Sequence, residues 1–161
     1  MRSVLSGMFL LVVCGLFTFC QSDNPVQTEK KPKMKASSKT YTFKTEKLDL
    51  ELALTAAAQK KGLMYHLPLK ANEGMLFVYE EPDRMYYWNP NVSFNIALAY
   101  FDETGTISSI HRLLADDKTS IDSGVVVQYV LEMREGWFAE KGIKVGDKWP
   151  QLLSEKWFDV E

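Results

Sequence analysis

The chain has 161 residues, of which 46% are hydrophobic, 25% charged and 12% aromatic. This is an ordinary globular composition, and it excludes collagen-like, wholly disordered and polytopic membrane proteins. The formal charge of −2 is small, but it conceals an uneven distribution along the chain that bears on partners.

The first twenty residues read as an export segment. Arg2 supplies a positive start, and Val4 to Phe19 is an apolar run interrupted only by Ser6, Gly7, Gly15 and Thr18 before the polar stretch Gln21-Ser22-Asp23-Asn24. As a helix that run would span about 24 Å, short of the ~30 Å hydrocarbon core, so an export signal over 1–19 is favoured over a transmembrane helix. Cys20 stands at the junction, where bacterial lipoproteins carry the thiol that receives diacylglycerol. The flank Phe17-Thr18-Phe19 departs from the small residue usual before such a cysteine. Secretion after ordinary cleavage and an uncleaved anchor therefore stay open beside lipid attachment at Cys20.

Both cysteines, Cys14 and Cys20, belong to this leader, so the remaining chain has no thiol for a disulfide, a nucleophile or a metal. Residues 20–39 read as a lysine-rich disordered tether. They carry Lys30, Lys31, Lys33, Lys35 and Lys39, with Pro25 and Pro32 and almost no large apolar side chain, too little burial to repay the entropy of ordering. Residues 40–161 hold thirteen basic and nineteen acidic side chains, a net −6. A basic strip beside a lipid anchor suits an anionic membrane surface, whereas an acidic domain disfavours nucleic acid as a partner.

From Tyr41 the pattern is mainly β. Leu48, Leu50, Leu52 and Leu54 alternate with Asp49, Glu51 and Ala53, which predicts a half-buried strand. Thr55 then offers an N-cap for a short helix over 56–61, stopped at Gly62. Met75 to Tyr79 predicts a strand ended by the turn Glu80-Glu81-Pro82-Asp83, followed by strands over Arg84 to Trp88 and Phe94 to Phe101 with a break at Asn89-Pro90-Asn91. Asp102-Glu103-Thr104-Gly105 predicts a hairpin turn into Thr106 to Arg112.

Val125 to Met133 is the longest strand candidate, with Val127, Tyr129 and Leu131 on one face and Val126, Gln128, Val130 and Glu132 on the other. A second short helix is expected over Glu135 to Lys141, stopped by Gly142. The fold class is therefore mainly β (α+β): a small barrel-like antiparallel or mixed sheet with two short helices, forming one domain over 40–161.

Several separated motifs, in order, carry a family resemblance. Lys61-Gly62-Leu63-Met64, Glu73-Gly74-Met75-Leu76-Phe77-Val78, Tyr87-Trp88 with Asn91, Phe101-Asp102-Glu103-Thr104-Gly105, Tyr129-Val130-Leu131-Glu132, Phe138-Ala139-Glu140, Gly142-Ile143 and Val145-Gly146-Asp147 resemble the bacterial and archaeal "domain of unknown function 192" family, also called uncharacterised protein family 0127. The resemblance covers roughly 45–149 and implies a small, mostly β domain, frequently exported or lipid-anchored. Members typically have Arg where this chain has Lys61, and Lys and Asp where it has Pro90 and Ala97. An activity that needed that cation and carboxylate would be lost here.

Little else in the chain points to chemistry. His66 and His111 are far apart in sequence and fall in no paired-ligand spacing, so no metal or cofactor is expected. No serine stands in a nucleophile-elbow pattern, and the glycines are isolated at turns. Aromatic side chains are the remaining signal. Alternation places Tyr86 and Trp88 on one face and Tyr87 on the other, so one set is buried.

The expectation is an extracytoplasmic, lipid-anchored binding or envelope-associated module without catalytic residues. Tyr86, Trp88, Asn91 and His111 would line its ligand site, and its partners would be the membrane through Cys20 and an envelope glycan or protein. The alternative is an envelope or glycan-processing enzyme, recognisable by a deep cleft with converging acid and base groups.

Overall fold

The computed structural model describes residues 38–158. The predicted leader, Cys20 and nearly all of the tether lie outside the described residues. The first strand begins at Ser38, two residues inside the stretch assigned to the tether.

Among the described residues, six strands form one mixed sheet: β1 (Ser38–Phe43), β2 (Glu46–Ala53), β3 (Glu73–Tyr87), β4 (Ile96–Phe101), β5 (Ile107–Leu113) and β6 (Ile121–Arg134), in the spatial order β1-β2-β3-β6-β4-β5. All neighbours run antiparallel except β2 and β3. That parallel pair needs a crossover, which is supplied by α1 (Ala56–Lys61) and the segment after it. Two further short helices, α2 (Trp137–Glu140) and α3 (Gln151–Ser154), follow the sheet, one more than the sequence suggested.

The sheet is curled but open. Phe43 of β1 meets Phe101 of β4 with ring centroids 5.9 Å apart, and Trp149 stacks on Phe43 at 4.9 Å. No ladder joins β1 to β5 among the described residues, so the expected mixed, mainly β sheet is barrel-like in its curl without closing into a barrel. Its centre is covered on both faces, as the six consecutive buried residues of β4 record. One layer packs Leu48, Leu50, Leu76, Leu131 and Met133 under Trp137, Phe138, Trp149 and Leu152. The other packs Met75, Phe77, Leu98, Tyr100 and Val130 under Leu63, Tyr87 and Val92.

Two irregularities depart from the sequence pattern. β3 runs unbroken through Glu80-Glu81-Pro82, where a turn was expected. Its register against β6 shifts between Val78 and Asp83, so four residues of β3 stand opposite Gln128 alone. Pro82, which has no N–H, thus falls in a bulge where none is required. Gln128 Nε2 bridges the gap by donating to the Tyr79 carbonyl at 3.2 Å. The bulge also resets the pleat of β6, so Val127 packs in the layer of Val130, away from Tyr129 and Leu131.

Candidate functional site

A cavity of about 550 Å³ opens beside the second layer, between α1, the far half of β3 and the Trp88–Val92 turn. Each wall has a local cause. Thr55 caps α1 by accepting from the Ala58 N–H at 3.2 Å, and Gly62 ends it at φ +48°. Gln59 ties the helix to the sheet by donating to the Val78 carbonyl at 2.9 Å. This fixes Lys60, Lys61, Leu63 and Met64 as one wall.

The opposite wall is aromatic: Phe77, Tyr79, Tyr86, Tyr87 and Trp88. Tyr87 is buried while Tyr86 and Trp88 are half-exposed, which is the split that strand alternation predicts. Buried Asn89 holds the following turn by donating from Nδ2 to the carbonyls of Phe94 (3.1 Å) and Leu114 (2.9 Å).

At the floor lies Glu132. Its ladder partners are Met75 and Leu98, so its side chain shares an apolar layer. The residue is 4% exposed, and Oε2 is buried without a hydrogen-bond partner. Burial alone pushes its carboxyl up from 4.5 to about 8, with no basic group to counter it. At neutral pH Glu132 is therefore a protonated acid. Tyr79 and Tyr87 share a hydrogen bond between their hydroxyls at 2.6 Å, and burial raises both above the ordinary tyrosine range. The charge of an ionised Glu132 would raise Tyr79, Tyr87 and Tyr100 further, which marks these three as its polar surroundings.

Of the four ligand-site candidates from the sequence, Tyr86 and Trp88 line the cavity; Asn91 and His111 are not part of its lining. Asn91 takes positive φ (+57°) and accepts at its carbonyl from the Tyr65 N–H at 3.1 Å, joining the turn to the segment after α1. His111 lies on β5, with a ring nitrogen 3.0 Å from Ser109 Oγ and its ring 5.7 Å from that of Tyr100. Burial lowers its pKa, favouring the neutral imidazole.

Glu132 and Tyr79 were missed. The available signal was an acid flanked by Leu131 and Met133 in the most apolar strand, and it becomes informative only once both faces of that strand are covered. Among the described residues, no three His, Cys, Asp or Glu side chains are placed to hold a metal ion.

The match to known proteins follows the same elements. Residues 38–150 match the family described as DUF192, Uncharacterized ACR. The chain belongs to the DUF192 family. Two crystal structures are similar to it. One, a protein from Sinorhizobium meliloti 1021 described as a "putative transcription regulator", is 30% identical with a TM-score of 0.63, over 69% of this chain and 87% of that one. The other, a protein of unknown function from Novosphingobium aromaticivorans DSM 12444, is 31% identical with a TM-score of 0.62, over 68% of this chain and 80% of that one. No curated protein matches the chain.

Pro90 and Ala97, the positions where the resemblance leads one to expect Lys and Asp, stand in different surroundings. Pro90 lines the cavity, whereas Ala97 packs in the opposite layer, in register with Met133 and with Arg112, whose guanidinium pairs with Glu135.

Proposed function

We propose that this DUF192 protein is an extracytoplasmic binding module, held to a membrane through lipid on Cys20, that takes a small organic ligand into the tyrosine-lined cavity. The observation that carries the binding part is the unpartnered Glu132 Oε2 at the floor of a pocket whose lining is largely apolar and aromatic. Leaving such a group without a partner costs stability, and pockets of this size with a few convergent polar groups are the usual form of a ligand site. Binding is favoured over catalysis because Glu132 Oε2 makes no hydrogen bond and the Tyr79 and Tyr87 hydroxyls bond to each other, so the lining shows no hydrogen-bonded acid and base couple, and His111 lies outside it. The acidic domain argues against nucleic acid as the partner.

Titration with small organic compounds of graded charge, followed by NMR, tests the pocket. Shifts should concentrate on the Trp88 indole, the Tyr79 and Tyr87 rings and the residues of α1. Shifts absent from these groups with every compound would refute the reading. Anchoring is tested separately with Cys20→Ala, which should release the protein from membranes and abolish an acyl adduct seen by mass spectrometry in the parent.

A further inference from the structure

The cavity has opposite chemistry at its two ends. Glu132 Oε2 is buried at the floor without a hydrogen-bond partner. Lys60 and Lys61, both exposed, stand at the mouth. Between them the lining is largely apolar and aromatic, with Phe77, Tyr79, Tyr86, Tyr87 and Trp88 on one side and Leu63 and Met64 on the other. We propose that the ligand is an organic ammonium ion on an apolar or aromatic body, its N–H groups donated to Glu132 and an acidic group at its far end meeting Lys60 and Lys61. This rests on the pocket reading above and names the chemistry of its occupant.

Three physical points single out this class. Once ionised, the desolvated Glu132 carboxyl needs both a donor and a countercharge; an ammonium brings both, whereas a neutral hydroxyl brings only the donor. Aromatic walls favour a cation over an anion, because ring faces carry negative charge density. A plain cation would be repelled by the lysines at the mouth, while a ligand with an acid at that end is attracted by them.

The titratable groups within electrostatic reach of Glu132 are Tyr79 and Tyr87 from β3 and Tyr100 from β4, all neutral at pH 7 with pKa values raised by burial. Glu132 itself is protonated in the empty pocket, since burial holds its pKa at about 8. Binding an ammonium therefore transfers the Glu132 proton to the buffer and leaves a carboxylate paired with the ligand cation. Affinity for an amine should accordingly rise with pH toward 8.

Isothermal titration of the full-length chain with three probes on one phenyl scaffold tests the assignment: phenethylamine, phenylpropionate and para-aminoethylbenzoate. The para-aminoethylbenzoate zwitterion should bind tightest and phenylpropionate about tenfold or more weaker. Proton release should be visible as a dependence of the measured heat on the buffer. Glu132→Gln should erase the preference for the amines, and Lys60→Ala with Lys61→Ala should bring the zwitterion down to the level of phenethylamine.

Phenylpropionate binding as well as phenethylamine, or amine affinity that does not change between pH 6 and 8, would overturn the ammonium assignment and leave the pocket reading intact; that second readout needs no variant. Failure of all three probes would also overturn it, with the pocket reading then decided by the wider NMR titration.

Discussion

Ionising Glu132 would place a bare carboxylate between Met75 and Leu98, and the resulting pKa shift becomes a dependence of stability on pH. In the folded chain the acid titrates near 8, against 4.5 when solvated. Below the lower value the group is neutral in both states and has no effect. Between the two, the unfolded chain loses a proton that the folded chain keeps, so stability falls as pH rises, by up to about 1.4 kcal/mol per pH unit. Above the upper value the cost is constant. Glu132→Gln removes this contribution, so the variant should gain on the parent steadily across that window. Urea midpoints of both proteins at several pH values measure the difference, and a constant offset would mean that the carboxyl is not held neutral by burial. Asn89, also in the lining, is buried without such a cost, because its amide donates to two carbonyls.

At the scale of elements, the approach of β3 to its neighbours is set by a residue without a side chain. A Cβ at Gly74 would stand 2.5 Å from the Glu132 carbonyl oxygen and closer still to the Met133 sulfur, with a Leu50 methyl at 3.0 Å. Backbone cannot yield as a flexible side chain does, so Gly74→Ala should cost about 1–3 kcal/mol, seen as a lower urea midpoint. It should also disturb the pocket floor, because the clash falls on the residue that carries the carboxyl.

Elements defined by local chemistry were legible in the sequence. Thr55 and Gly62 bound α1 as their side-chain oxygen and positive φ require, and the alternation of Tyr86, Tyr87 and Trp88 set which ring is buried. The continuity of β3 through Pro82 was not legible, because it depends on a bulge that pairing with β6 creates. Glu132 was assigned to the face it shares with Val130, but whether that face meets water is decided by α1 and the Trp88–Val92 turn, which period-2 alternation does not encode.

For the whole molecule, the two layers have different tasks. The layer opposite the cavity is covered in part by Leu152, Trp157 and Phe158, which lie past the residues matched to the DUF192 family. Trp157 lies 5.8 Å from the Tyr41 ring and 6.5 Å from Tyr129, and its Nε1 donates to the Leu152 carbonyl at 2.7 Å. Lys39 pairs with Glu155 across the same seam. With no disulfide available among the described residues, this aromatic seal holds by non-covalent contacts, chiefly packing. Trp157→Ala should therefore lower stability by about 2 kcal/mol through lost apolar burial.

The cavity lies on the other side of β3 and β6, and none of its lining residues touches Trp157 through a ring contact. Amine affinity in the Trp157→Ala variant should accordingly match the parent at temperatures where both remain folded, measured by the same titrations. A parallel loss of stability and affinity would show that the two layers act as one unit, with the terminal segment helping to shape the pocket across the sheet.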